Sequence, residues 1–369
     1  MNAKKKIGWG ILGTGSIACQ FAQGLSVLPD AQLIAVGSRR LETAKVFADK
    51  FKVKFAYQGY KDLVENPEVD VVYIATPNSK HKEHALLCLN ANKPVLCEKP
   101  FALNANEAKM VIELARSKNI FCMEAMWTRF MPLVRDTRDL IKGGLIGEPC
   151  VLTVNFGSPV AFNPQKDVFN IEMGGGALLD RGVYGISLAM YLFGKPSKVT
   201  GKLVLGSSGV DEQAVVSLEY PDGKLAVITA SLQTYLSNEA VISGTLGRIK
   251  IGEPFFRPHR LGISRFSSPL SNTLGLSGQN FLSKMKEQLW VRKLYLQLGH
   301  YLPFFKRPAE KDIVKFFDGN GYGYEAKEVI DCLFKGLSES QTMPLDDSLK
   351  VMELMDSVRK QNNFWFPGE

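Results

Sequence analysis

Two segments carry the side chains best able to do chemistry. The run "VLCEKP" ends an apolar stretch with Glu98, Lys99 and Pro100. Proline bars the residue before it from the helical region, so Lys99 is presented from an extended backbone. The segment "GGGALLDRGVYGISLAMYLFG" at 174–194 places Asp180 and Tyr184 four residues apart, on one face of a helix. An ammonium beside a phenol lowers the phenol's pKa and equips it to exchange a proton with an alcohol or carbonyl, with Asp180 orienting the lysine or the substrate. Each segment alone has a plainer account: a lysine before proline at a strand end is usually solvated, and Asp180 reads equally as a helix cap beside a packed tyrosine. Arg181 is expected to point away from the face that Asp180 and Tyr184 share.

A third segment supplies what such a site would act with. "KKKIGWGILGTGSIAC" at 4–19 could open an export signal, but glycines at 8, 10, 13 and 15 would each cost a helical signal core about 1 kcal/mol relative to alanine. Gly13-x-Gly15-x-x-Ala18 instead falls between an expected strand and an expected helix, with a second strand ending about 20 residues on, the frame of a dinucleotide-binding loop. Gly13 permits the tight turn, and Gly15 lets the backbone approach a pyrophosphate at the helix N-terminus, where Ser16 and Ile17 follow. At the end of the second strand, NAD enzymes place an acid for the ribose 2′-hydroxyl; here the chain reads Gly37-Ser38-Arg39-Arg40. A carboxylate would repel a 2′-phosphate, whereas serine and arginine bind one, so NADP(H) is expected in preference to NAD(H). The alternative is two arginines on a solvated helix start.

The elements that must position these residues follow from apolar periodicity. Ile7–Leu12, Leu33–Gly37, Val69–Ala75 and Pro94–Cys97 are short buried-strand runs separated by helical stretches at 17–28 and 40–51 and further helices. Strands alternating with helices mean parallel βαβ units, hence a doubly wound sheet. After Trp127 the runs lengthen and alternate: 151–156, 199–205, 214–220, 225–233 and 239–251, with "PDG" at 221–223 as a hairpin turn. The expected fold class is α/β, a Rossmann domain over 1–125 and a substrate and oligomerisation domain over 126–369 built on a large, mostly antiparallel open sheet. A helix at 176–193 and two helical stretches at 322–335 and 345–361 complete it.

Composition excludes several classes. With 369 residues, 45% hydrophobic and 22% charged, the chain has the make-up of a globular protein of two cores, and its apolar runs are too short to span a membrane. Cytoplasmic location is expected. The six cysteines, at 19, 88, 97, 122, 150 and 332, form no Cys-x-x-Cys pair and read as reduced, mostly buried thiols. His81 and His84 are the only histidine pair at metal-ligand spacing, and surface or loop histidines explain them better, so no metal is expected. The net charge of +8 resides in 256–316, with eleven Lys/Arg against three acids, leaving the rest neutral and arguing against nucleic acid.

"GILGTGSIA", "ATPNSKH" at 75–81, "CEKP" at 97–100, "GGGALLDRGVY" at 174–184 and "GTLGRIKI" at 244–251 together resemble the Gfo/Idh/MocA oxidoreductases. "EAMWTRF" at 124–130 and the stretch from "GYGYEAKEVIDCLF" onward resemble the dimeric dihydrodiol dehydrogenase branch, whose members oxidise trans-dihydrodiols and aldopyranoses with NADP. The resemblance implies that Lys99 polarises the reacting oxygen, that Tyr184 is the acid/base with Asp180 beside it, and that Trp127 and Phe156 wall the substrate pocket. It implies a cofactor set that adds Leu12, Thr76, Pro77, Asn78, His81, Glu98, Trp127 and Arg129 to the loop and strand residues above, and a homodimer or higher oligomer through the outer face of the second sheet. The expected activity is hydride transfer between NADP(H) and a sugar, polyol or cyclic diol. The alternatives are a non-catalytic nucleotide sensor or scaffold, and an enzyme that recycles a tightly bound NADP.

The stretch at 253–316 departs from the branch in being longer, basic and rich in Phe, Leu and Trp. Its apolar stripe slips from one helical face to another within 281–307, which disfavours a membrane-surface helix. A helical excursion covering the pocket or the dimer surface is the leading expectation, ahead of anionic-membrane attachment and a partner-protein site.

Overall fold

The computed structural model describes residues 6–266 and 311–369. The first half runs β1 (Ile7–Leu12), α1 (Ser16–Ser26), β2 (Ala31–Ser38), α2 (Leu41–Phe51), β3 (Phe55–Gln58), α3 (Lys61–Glu65), β4 (Val71–Ile74), α4 (His81–Asn90), β5 (Val95–Glu98), α5 (Ala105–Ser117) and β6 (Cys122–Ala125). These six strands form one parallel sheet in the order β3-β2-β1-β4-β5-β6. β1 and β4 are buried at every position, as strands covered on both faces must be. The order reverses direction between β1 and β4, and a crevice opens there at the carboxyl ends of the strands. The loops after β1, β4 and β5, which carry Gly13–Gly15, Thr76–Asn78 and Lys99, all leave the sheet on this edge.

The second half begins with α6 (Pro132–Lys142) and β7 (Pro149–Gly157), then α7 (Val183–Phe193), β8 (Lys198–Leu205), β9 (Asp211–Glu219), β10 (Leu225–Ser231), β11 (Ala240–Gly244), β12 (Gly247–Ile251), β13 (Arg260–Arg265) and β14 (Lys311–Val314). The eight strands order as β14-β13-β12-β11-β7-β10-β9-β8, antiparallel throughout except for the parallel pair β7–β10. The inner face buries Leu152, Val154, Val216, Ile228, Ile242 and Ile249. Against it lies α7, apolar all round and buried from Val183 to Tyr191, as a helix enclosed on every side requires. Each such aliphatic side chain contributes about 2 kcal/mol of burial. The outer face leaves Val204, Val215, Leu225 and Val227 exposed.

Two last helices, α8 (Tyr322–Phe334) and α9 (Leu345–Gln361), return to the first sheet. α8 packs on α1, and α9 bridges α5 and β6 on one side to α7 and β8 on the other. Among the described residues, no helix is long and apolar enough to cross a membrane.

Three expectations about the fold need correction. The run at 239–251 is a hairpin of two strands, β11 and β12, turning at Thr245-Leu246. The described ends of the 253–316 stretch are strands, β13 and β14, which extend the sheet by two; the helix expected within 281–307, with its membrane-surface role, lies outside the described residues. His81 and His84 are neither surface nor loop residues: both are buried in the first turn of α4. Cys88, Cys97, Cys122 and Cys332 are buried free thiols, Cys19 is half-buried and Cys150 exposed.

Candidate active site

The two halves enclose a cavity of about 700 Å3 along the crevice. At one end lies the glycine loop. Gly13 has φ +104°, and a Cβ there would stand 2.4 Å from the Ala75 carbonyl oxygen, so the turn and the neighbouring chain both demand glycine. Gly15 is different. Its backbone is an ordinary extended N-cap to α1, and a Cβ there would meet nothing within 4 Å. The fold leaves open space over Gly15 at the helix N-terminus, where a bare backbone would let a pyrophosphate lie close.

Ser16, Ile17, Ser38 and Arg39 continue this wall. The Ser38 hydroxyl lies 2.7 Å from that of Thr43 in the first turn of α2, which fixes it at the strand end. Among the described residues no carboxylate hydrogen-bonds it: Glu42 and Arg40 line an adjoining depression with Thr14, Thr43 and Lys50. Arg40, expected in the cofactor set, is therefore outside the main cavity. Leu12, expected in the shell, is fully buried within β1 and does not reach it.

Midway, Thr76, Pro77 and Asn78 line the cavity after β4. The Asn78 side-chain amide donates to the Gly174 carbonyl oxygen at 2.9 Å, tying this loop to the triple-glycine loop of the second half. His81 also lines the cavity, but its ring sits 2.7 Å (Nδ1) and 2.9 Å (Nε2) from the carbonyl oxygens of Pro100 and Thr76. Its placement braces these two loops; burial pulls its pKa down against the carbonyls, which favour the protonated ring.

The other end gathers Lys99, Asp180, Tyr184, Trp127 and Phe156. Lys99 Nζ donates to the Asp180 carbonyl oxygen at 2.8 Å and to Asp180 Oδ1 at 3.0 Å, and lies 4.8 Å from the centre of the Tyr184 ring. Glu98 fixes the lysine from behind: its Oε2 accepts the Lys99 backbone N–H at 3.1 Å, and its Oε1 accepts the Tyr73 hydroxyl. Burial pulls Lys99 down, but the surrounding Asp180, Tyr184 and Glu98 outweigh it and carry its pKa above the ordinary lysine range. Asp180 is pushed up by burial and pulled further down by Lys99 and Arg181, so its carboxyl stays below the usual range. The site is a charged pair at neutral pH.

Tyr184 departs from expectation. Burial raises its pKa, and although Lys99 opposes this, the phenol stays above its ordinary value. The ammonium lies over the ring face rather than at the hydroxyl, which accepts the Trp127 indole N–H at 3.1 Å. That bond occupies one lone pair and leaves the phenolic proton free for the cavity.

Local backbone explains the arrangement. Residues Leu178–Gly182 form a π-helical turn, with the Val183 N–H bonded to the Leu178 carbonyl five residues back. Such turns are inserted in helices at functional sites. Arg181, expected to point away from the face that Asp180 and Tyr184 share, does not line the cavity; it is buried beside Asp180, Nε 3.6 Å from Oδ2, and bonds the Ser158 and Ser231 carbonyl oxygens. Arg129, expected near the cofactor, is fully buried away from the cavity, where it bonds Ser187, the Thr342 carbonyl and Asp347 and anchors the start of α9.

Among the cavity residues to which the sequence reading gave no role are Phe256, Arg257 and Tyr322, with Gln20, Tyr60 and Asp167. Phe256 stacks on Phe156 with ring centres 4.7 Å apart and touches Tyr184; Tyr322 stacks on Trp127 at 4.5 Å. Together with Phe156 and Trp127 they make an aromatic wall suited to the apolar faces of a ring-shaped substrate.

Comparison with known proteins agrees with this architecture. Residues 7–126 match the oxidoreductase family with an NAD-binding Rossmann fold, and residues 134–250 match the GFO/IDH/MocA C-terminal domain. The trans-1,2-dihydrobenzene-1,2-diol dehydrogenase of Bos taurus is 34% identical over 365 residues, 98% of each chain. Among solved structures, KijD10, a 3-ketoreductase from Actinomadura kijaniata in complex with NADP and TDP-benzene, superposes with a TM-score of 0.77 at 24% identity over 96% of this chain and 98% of its own. A levoglucosan dehydrogenase in complex with NADH and L-sorbose superposes with a TM-score of 0.80 at 19% identity over 97% of both chains. Dinucleotide loop, lysine–aspartate–tyrosine cluster and both matched domains lie in one chain, which belongs to the Gfo/Idh/MocA family of oxidoreductases.

Proposed function

We propose that the protein is an NADP(H)-dependent dehydrogenase that interconverts a secondary or anomeric alcohol and its carbonyl on a sugar, polyol or cyclic diol. The observation that carries this reading is the Lys99–Asp180 pair over the Tyr184 ring, at the opposite end of one cavity from Ser38 and Arg39. NADP(H), when bound, supplies or accepts the hydride. Gly15, Ser16 and the α1 N-terminus would hold its pyrophosphate, and Ser38 with Arg39 its 2′-phosphate.

The chain's own residues handle the oxygen and the proton. The Lys99 ammonium has three donors, of which Asp180 takes two, so the third is available to the substrate oxygen. There it stabilises negative charge that develops as the carbonyl is reduced. Tyr184, with its oxygen already accepting from Trp127, donates its proton to that same oxygen and recovers it in the reverse direction. The aromatic wall excludes water and stacks on the substrate ring. Dihydrodiol dehydrogenases among the relatives and the sugar-ligand complexes among the similar folds support a cyclic substrate.

A panel of aldoses, inositols and trans-dihydrodiols, assayed with NADP and with NAD, tests this reading; absence of hydride transfer with every class removes it. Arg39→Ala is expected to raise the dissociation constant of NADPH by roughly 30-fold, the loss of one charge-assisted phosphate contact, and that of NADH by less than threefold. Equal effects on the two would remove the 2′-phosphate role.

The exposed apolar outer face of the second sheet supports a homodimer through that face. Light scattering at micromolar concentration should give twice the chain mass, and Val227→Glu should return it to the monomer value. A monomer in the parent protein ends this assignment.

A further inference from the structure

Among the described residues, the cavity holds one cation that the proposed reaction does not use. Of the cations lining it, Lys99 is bound to Asp180, and Arg39 lies at the end of β2, where the reading above places the cofactor's 2′-phosphate. Arg257 stands apart from both, in the segment between β12 and β13 and immediately after Phe256. It is half-buried and lines the cavity, and its side chain forms no ion pair or hydrogen bond with a described residue. Phe256 touches Phe156, Tyr184 and Trp127, so the guanidinium next to it belongs to the end of the cavity where the reacting oxygen would sit. Its charge is felt at Tyr322, which stacks on Trp127 in the same wall.

The acids on this lining do not account for it. Glu98 is taken up by Tyr73 and the Lys99 backbone, and Asp180 by Lys99 and Arg181. Asp167 is exposed at the lip. A guanidinium held half out of water beside an aromatic wall, with no carboxylate among the described residues to meet it, matches a planar or tetrahedral oxyanion better than a neutral hydroxyl.

We propose that Arg257 is a specificity-determining residue that binds a carboxylate or phosphate carried by the substrate, so that the preferred substrates are acidic or phosphorylated sugars rather than neutral ones. The inference rests on the reading of the cavity as a sugar or polyol dehydrogenase site. It adds a second anion to the ligands, distinct from the cofactor's phosphates, which Arg39 and the α1 N-terminus already serve.

The test is calorimetric titration of the NADPH-saturated full-length protein with D-glucose, D-glucuronate, D-glucose 6-phosphate and inorganic phosphate, since a filled cofactor site leaves Arg257 as the free anion receptor. At least one anionic sugar is expected to bind tenfold or more tighter than glucose, and which of the two wins distinguishes carboxylate from phosphate. Arg257→Met should cost the favoured anion roughly 30-fold in affinity, glucose less than threefold, with the melting temperature unchanged and Arg257→Lys intermediate. Equal affinities across the three sugars overturn the proposal, as does an Arg257→Met loss that falls on NADPH, which would assign the guanidinium to the cofactor. If the anionic sugars bind as expected yet none is oxidised in the presence of NADP, the proposed reaction fails and the anion site stands.

Discussion

Lys99→Met should lower kcat by about a thousandfold while moving the NADPH dissociation constant little, because it removes the donor that meets charge developing on the substrate oxygen. Methionine keeps the length and apolar stem of lysine, so the change is chiefly one of charge. Its second effect falls on Asp180, whose carboxyl is held below the usual range by Lys99 and Arg181. A carboxylate whose folded pKa is depressed contributes stability that is present above its unfolded pKa and lost as pH falls through the folded one. With Lys99 gone, most of that contribution goes too, so the variant's deficit in melting temperature should be greatest at neutral pH and shrink on acidification. Single-turnover kinetics and thermal melts across pH measure both parts. A variant that retains more than a tenth of parental kcat would show that Lys99 does not meet the reacting oxygen.

Tyr184→Phe should cost a similar factor, about a thousandfold in kcat, for a different reason. The ring packing against Phe156 and Phe256 survives, and the loss is one oxygen. Trp127 Nε1 is left without its acceptor, at a cost of about 1 kcal/mol in stability. The pH profile separates a proton-transfer role from a packing role. Burial keeps the phenol's pKa above its ordinary value, so it is protonated through the neutral range. Carbonyl reduction, which needs that proton, should be flat there, whereas alcohol oxidation, which needs the phenolate, should climb tenfold per pH unit into the alkaline range. In the variant that slope should vanish. Unchanged turnover, or an oxidation profile that keeps its slope, would place the acid/base elsewhere.

The parts of this site that could be read in the sequence are those whose chemistry is local. Gly13, Gly15, Ser38 and Arg39 belong to one strand–turn–helix–strand frame, and Lys99, Asp180 and Tyr184 sit in short motifs at element boundaries. What stayed hidden depends on chain segments meeting from afar. Nothing local marks Phe256 and Arg257, within the stretch that departs from the branch, or Tyr322, at the start of a matching stretch, as cavity residues; they reach it only because β12, β13 and α8 fold back upon it. Arg129 carries the same letters whether it faces a nucleotide or Asp347; burial against α9 decides, and no local pattern encodes it. β3 and β6, "FAYQ" and "CMEA", are four residues each, too short and too mixed for periodicity to reveal. The hairpin at 240–251 hid within one alternating run because its turn, Thr245-Leu246, lacks the Asn-Gly type of signal.

The return of α8 and α9 to the first sheet has a consequence for synthesis on the ribosome. The Ala105 N–H bonds the Asp356 carboxylate across 251 residues of chain, and the Cys122 N–H bonds the Ser338 carbonyl oxygen. The nascent Rossmann layer therefore emerges with an apolar flank along α5 and β6 bare until the last part of this chain is translated, and its cofactor crevice lacks the Tyr322 wall for as long. Contacts so distant in sequence are slow to close. A partly made chain thus offers chaperones a sticky half-domain, and the aromatic wall of its cavity is complete only with the final helices.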